Sequence, residues 1–368
     1  MKTDKDKISV RQLLFVFTII VSSSATRFIP RDAAAKAAQA GWVSPIICIV
    51  PFIMLILIID SLLKKYVGQS MSEIITSIMG NFLGRLVLVI YLLWAVSLLA
   101  LYTRYYAERL TSSIYLNINN NVLILLTLIP IAYMLRSGFT VIARMSEILL
   151  PFIGLMLVLL SVFLLPKVRA DTVLPVYFND IIPIVKASFS STAMLSYLFL
   201  LFFLSGKLVN MKSFKKFGYI AAYINISSLM LVIFITNGVL GSSVAERSPM
   251  PVLSAVKQIS IMDTIENIEA IIIAIWIFAD FTLIFTFFVV TLNLIKSIFK
   301  LSDTRPLINI LAILLYFLSL GICSNKFELE AFSENIIVPV NITLGYGFPL
   351  ILFILSKLKK GSKSSTNN

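Results

Sequence analysis

Long apolar runs alternate along the chain with short charged or polar connectors. The first run, Leu13-Leu14-Phe15-Val16-Phe17-Thr18-Ile19-Ile20-Val21, passes directly into Ser22-Ser23-Ser24-Ala25-Thr26, then Arg27 and Pro30. A bilayer core about 30 Å thick needs about 20 largely apolar residues per spanning helix. By that measure the pattern predicts ten spans, near 10–30, 42–63, 82–103, 121–135, 147–166, 182–205, 217–240, 268–295, 307–323 and 336–356. Residues 1–356 then form a single all-α transmembrane domain, and 357–368 a polar cytoplasmic tail.

In the first span the apolar run stops halfway and hydroxyl side chains follow at membrane depth. The sixth span repeats the feature, because Ser188-Phe189-Ser190-Ser191-Thr192-Ala193 interrupts a run that extends from Ile181 to Leu204. Ten spans divide into five and five, which makes the first and sixth equivalent by order. Paired polar interruptions in matching spans point to a transporter's binding site, where a broken helix leaves backbone groups for a ligand to meet. The competing reading is packing: Ser and Thr bond back to a carbonyl one turn earlier and let helices approach closely.

Three further stretches carry candidate chemistry. Tyr91, Trp94, Tyr102 and Tyr105, with Leu98 between, share one face of the third span. They form either a packing or interfacial belt or a pocket wall. In the connection 241–267, Ser248-Pro249-Met250-Pro251 precedes Val252, Val256 and Ile259 at helical spacing. This predicts a short amphipathic helix on the outer face, a lid or a plain connector. Asp280 is the one acid in mid-span. An acid at that depth faces a polar pathway or a partner. It is a proton- or ion-coupling site, a partner for a ligand ammonium, or a hydrogen-bonded structural acid.

Composition sharpens the class. The 368 residues are 59% hydrophobic and only 13% charged, against about 25% charged in soluble domains. The mean hydropathy is +0.96. The formal charge of +13 lies in the connectors rather than on one face, which excludes nucleic acid as a partner. With both termini in the cytoplasm, 20 of the 31 Lys and Arg fall inside, the bias that orients membrane proteins. There is no histidine, and Cys48 and Cys323 both fall in apolar segments. No nucleophile–base pair, metal cluster or nucleotide loop is present, so neither an enzyme nor a cofactor is expected.

Several segments together resemble the B-subunit family of spore germination receptors, within the amino acid–polyamine–organocation superfamily. They are Ile8-Ser9-Val10-Arg11-Gln12-Leu13-Leu14, Gln39-Ala40-Gly41-Trp42-Val43-Ser44, and Arg104, Tyr106 and Glu108 at alternate positions. The run Gly138 to Pro151, Leu174-Pro175-Val176 and Thr304-Arg305-Pro306-Leu307 add to the likeness. The most telling is Glu246-Arg247-Ser248-x-x-Pro251-Val252-Leu253, followed by Ile261-x-Asp263.

The resemblance implies a 5+5 inverted repeat with unwound helices 1 and 6, and a nutrient ligand, usually an amino acid, between them. It also implies an A subunit and a lipoprotein C subunit as partners, in the inner membrane of the dormant spore. Two departures stand out. The first break has Ser22–Thr26 where the family usually has Gly, and the sixth helix lacks the family's Pro-Phe-Gly-Glu-like element. On this reading backbone N–H groups at Ser24–Thr26 meet the ligand carboxylate. Carbonyls at Val21–Ser23 and Phe189–Ser191 meet its ammonium. Tyr91, Trp94 and Met194 enclose its side chain, and Ser22, Ser23, Ser24, Ala25, Thr26, Phe189, Ser190, Ser191 and Thr192 form the ligand set. A proton- or cation-coupled amino-acid permease, coupled through Asp280, is the alternative.

Overall fold

The computed structural model describes residues 7–115, 117–259 and 268–359. The helices run in order α1 (Val10–Ala37), α2 (Ser44–Ile47), α3 (Ile49–Lys65), α4 (Met71–Met79), α5 (Asn81–Ser113) and α6 (Asn120–Leu135). Then come α7 (Thr140–Leu164), α8 (Ile181–Leu195), α9 (Tyr197–Leu201), α10 (Phe214–Leu240), α11 (Ser242–Arg247) and α12 (Pro251–Val256). The last are α13 (Ile268–Phe299), α14 (Leu307–Gly321), α15 (Lys326–Phe332), α16 (Val338–Ile342) and α17 (Phe348–Leu358), with two π-turns, Ser333–Ile337 and Thr343–Gly347, on either side of α16.

Among the described residues, seven helical stretches are long and apolar enough to cross a membrane. The first, Val10–Lys65, has 56 residues, enough for two crossings, and α6 and α14 are shorter apolar helices. The chain is a multi-pass integral membrane protein. Large apolar side chains such as Ile148, Leu155 and Val158 on α7, and Ile310 and Phe317 on α14, face outward. Lipid, unlike water, accepts such a surface.

Contacts between helix ends sort the connections into two sides. A two-residue parallel pairing joins β1 (Ile8–Ser9) to β2 (Leu208–Val209). Lys65 Nζ donates to the Ser356 carbonyl and Lys359 Nζ to that of Ser77 at 2.7 Å. At the other side Trp42 Nε1 donates to the Val173 carbonyl at 3.1 Å, and Lys167 Nζ to that of Gln258. Each pair joins ends separated by an even number of crossings in the ten-span reading.

The middle of the molecule is built around α1, which packs against α7, α8, α10, α11 and α13. Its start is fixed locally: the Gln12 amide donates to Ser9 Oγ at 3.2 Å, and the Ser9 amide to Gln12 Oε1 at 2.9 Å. This reciprocal capping box satisfies two of the donors that every helix start leaves open. The predicted helix after Pro251 exists as α12, with a different burial from that expected. Pro251, Val252, Leu253, Ala255 and Val256 are all buried, so α12 is wedged against α1, α7, α10 and α13 rather than lying on the surface. Ile261 and Asp263 lie outside the described residues.

Candidate ligand-binding site

Helix 1 is not unwound at the hydroxyl cluster: α1 runs unbroken through Ser22–Thr26. The reason is the back-bonding that competes with breakage. Ser22 Oγ donates to the Thr18 carbonyl at 2.8 Å, and Thr26 Oγ1 to those of Ser22 and Ser23 at 3.2 Å. The ladder loses a rung one turn later, where Pro30, inside the helix, offers no N–H to the Thr26 carbonyl.

The sixth span is likewise helical over Ser188–Ala193, and its joint falls at Ser196, between α8 and α9. There the last helical stretch packs closely. A Cβ on Gly345 would lie 2.2 Å from that of Ser196, so only glycine fits.

The hydroxyl clusters nevertheless face inward. Ser23, Ser24, Ser190 and Ser191 are all buried. Beside Ser23 is a charged cluster that no single segment foreshadows. Asp280 of α13 is 1% exposed. Its Oδ1 accepts from Ser23 Oγ and from Arg27 Nη2, the latter at 2.8 Å. Arg109 Nη1, from α5, lies 3.0 Å from Asp280 Oδ2, an ion contact without hydrogen-bond alignment. Arg109 Nη2 also donates to the Ser23 carbonyl at 3.2 Å.

The guanidinium faces are covered by rings. Arg27 lies over Tyr102 and Tyr105, at 5.3 and 5.0 Å from the ring centroids, and Arg109 over Trp276 at 5.0 Å. Cation–π contact of this kind helps offset the cost of a desolvated cation. Two cations against one carboxylate leave one positive charge in excess. Removing one partner from such a buried pair costs about 3–5 kcal/mol.

A cavity of about 290 Å³ opens from this cluster and runs along the second half of α1. That is the small end of the range for ligand pockets, about 300–1,000 Å³. Its wall includes Thr26, Arg27, Tyr105, Arg109, Ser190 and Trp276. Further along, Asp32, Lys36, Glu330 and Glu334 line it. Ion pairs tie α1 to the last helical stretch here: Arg31 to Glu330 at 2.6 Å, and Lys36 to Glu334 at 2.8 Å. Pro249 and Met250, just before α12, close one side.

Of the predicted ligand set, Thr26 and Ser190 line this cavity, one from each hydroxyl cluster. Ser22, Ser23, Ala25 and Thr26 also line a second, smaller space of about 70 Å³ between α1, α7, α10 and α13. Ser24 starts a hydrogen-bonded chain instead. Its hydroxyl donates to Tyr102 Oη at 3.2 Å, which lies 2.8 Å from Tyr197 Oη. Asn341 Nδ2 donates to Tyr197 Oη at 3.1 Å, and Trp94 Nε1 to Asn341 Oδ1 at 2.7 Å.

Trp94 is thus at the far end of that chain, and the Tyr91 hydroxyl donates to the Leu344 carbonyl at 2.6 Å. Neither lines the 290 Å³ cavity. Ser191 Oγ is buried without a hydrogen-bond partner among the described residues, and Thr192 Oγ1 meets Cys48 Sγ at 3.3 Å. Met194 is buried and Phe189 is exposed. Sequence reasoning passed over Arg109 and Asp32. A usable signal was present for one partner: an acid in mid-span demands cations, and Arg27 follows the first hydroxyl cluster inside a span.

A bundle of apolar helices with a charged cavity at its centre defines a membrane protein on a transporter-like scaffold. The comparisons agree. A solved structure of Mhp1, a nucleobase-cation-symport-1 family transporter in a closed conformation with bromovinylhydantoin bound, superposes with a TM-score of 0.64 at 12% identity, over 95% of this chain and 78% of that one. Residues 7–327 match the family described as spore germination protein.

The chain belongs to the spore germination protein family. Spore germination protein KB of Bacillus subtilis (strain 168) is 25% identical, over 97% of this chain and 96% of its own length. Spore germination protein YndE of the same organism is 22% identical, over 98% and 99%.

Proposed function

We propose that the chain is the nutrient-sensing subunit of a spore germination receptor, with the nutrient, an amino acid, held in the cavity between α1, α5, α8 and α13. One observation carries this reading. In a family of spore germination proteins on a transporter fold, a small cavity brings together Thr26 and Ser190 from the two hydroxyl clusters and a buried guanidinium cluster. Signalling requires that the ligand favour one of two conformations, so the site must sit where several helices meet. The proposed cavity meets that requirement, since α1, α5 and α13 are joined through Asp280 beside it. On this reading the subunit works with A and C subunits in the inner spore membrane, both termini cytoplasmic.

Thr26→Leu tests the site. Among the described residues the Thr26 hydroxyl bonds only back to its own helix, so the substitution fills the cavity without removing a tertiary bond. Insertion into the membrane is expected to be intact and the nutrient response lost. A wild-type dose response in that mutant refutes the site. The transporter fold keeps a second reading in view, a proton- or cation-coupled amino-acid permease. Reception is favoured because two guanidiniums and a serine already surround Asp280, so a coupling cation would have to displace a guanidinium there. Uptake assays in liposomes separate the two: saturable binding without concentrative uptake supports reception.

A further inference from the structure

The same cavity carries a charge pattern that narrows what it holds, and the inference rests on the reading above. At one end the Arg27–Asp280–Arg109 cluster has a surplus cation. Arg27 lies over the rings of Tyr102 and Tyr105, and its Nη2 is spent on Asp280. Its other two donors, Nε and Nη1, are buried and meet no acceptor among the described residues. The Arg27 side chain is only 9% exposed and lines the cavity.

The opposite imbalance lies five residues further along the helix, about 7.5 Å along its axis. Lys36 is held between two carboxylates, Asp32 at 2.7 Å and Glu334 at 2.8 Å. Only Asp32 Oδ1 is used; Oδ2 is buried without a hydrogen-bond partner among the described residues, and Asp32 also lines the cavity. Lys326 adds a cation to the wall, where it interacts with Glu330 and Glu108.

Buried donors without acceptors, and a buried carboxylate oxygen without a donor, are costly unless something fills the gap. Within one cavity they are the complement of a molecule carrying both charges. We infer that Arg27 and Asp32 are the recognition pair for a zwitterion: Arg27 takes its carboxylate through one of the donors left open, Nε or Nη1, which lie on opposite edges of the guanidinium, and Asp32 Oδ2 takes its ammonium. A hydrogen bond between two charged groups is roughly twice as strong as one between neutral groups, so a single such bond still discriminates. The grip is by side chains, which fits a helix 1 that stays wound and frees no amides there. Asp280 in this arrangement orients Arg27 and does not itself meet the ligand.

The test uses purified full-length protein and a ligand panel: the L-amino acids, their carboxamides, which lack the carboxylate, and their desamino acids, which lack the ammonium. Binding is read by thermal shift and by direct titration. Wild type should prefer an amino acid over both analogues by at least about 30-fold, the loss expected when a buried charged partner is missing. Arg27→Gln should weaken the amino acid by at least about 30-fold yet leave its carboxamide unchanged. Asp32→Asn should do the same with the desamino acid. Arg27→Lys, which keeps the cation, should fall between and guards against a simple folding defect.

Amino-acid binding that survives both substitutions, or equal weakening of all three ligands, overturns the pair assignment while the nutrient-site reading stands. A wild-type protein that binds no amino acid overturns both.

Discussion

Asp280→Asn is the sharpest probe of what holds the centre together. Asp280 is 1% exposed and its carboxylate faces two guanidiniums whose side chains are 9% and 4% exposed. Replacing it with Asn keeps the shape and one acceptor but raises the buried surplus from one cation to two. Breaking a buried pair by removing one partner costs about 3–5 kcal/mol. At about 2–4 °C per kcal/mol for chains of 150–250 residues, and somewhat less for a longer one, the melting temperature in detergent should fall by at least about 5 °C.

The double variant Asp280→Asn, Arg109→Met returns the surplus to one cation and gives the apolar stem a place against Trp276. It should melt above the single variant, with a coupling of about 1–3 kcal/mol. Scanning fluorimetry, with size-exclusion to check dispersity, provides the reading. An Asp280→Asn protein that melts within about 1 °C of wild type, or a double variant worse than the sum of its parts, refutes the charge argument.

Three other outcomes are expected. Gly345→Ala should lower yield and cost about 1–3 kcal/mol by overpacking, since the new Cβ meets that of Ser196 at 2.2 Å; Ser196→Gly in the same chain should relieve it, as read by melting. Asn341→Leu leaves the Trp94 N–H and the Tyr197 hydroxyl short of a partner and should cost about 1–3 kcal/mol in the same assay. Ser9→Ala removes the α1 cap and should cost about 1 kcal/mol, with Ser9→Thr nearly silent.

Membrane depth was legible from residue order because apolar run length follows bilayer thickness directly. The two hydroxyl clusters follow from local pattern, whereas several helix ends do not: α1 runs on to Ala37, α5 to Ser113, and α7 begins at Thr140, well outside the predicted spans. Whether Ser22–Thr26 breaks the helix does not follow either. Hydroxyls serve equally to bridge a gap and to bond back one turn, and in α1 they bond back. The aromatic stripe shows the same limit. Tyr91, Trp94, Tyr102 and Tyr105 share a face, yet that face is long enough that its two ends meet different neighbours. Tyr102 and Tyr105 cover Arg27, whereas Trp94 reaches Asn341. Asp280 announced that a partner was needed, but the two guanidiniums come from residues 253 and 171 positions away in sequence, a pairing only the tertiary structure makes.

The wound state of α1 has a mechanical consequence. From Val10 to Arg27 it is an unbroken helix, about 26 Å long, and Pro30 lies beyond it. A jointed rod would absorb a push at the cavity; this one hands it on. Any tilt imposed at Arg27 must reappear at the opposite membrane face, where the residues just before α1 are stitched to Leu208–Val209. The far end, where Ile8–Ser9 pairs with Leu208–Val209, is therefore where a displacement at Arg27 is passed to another part of the chain.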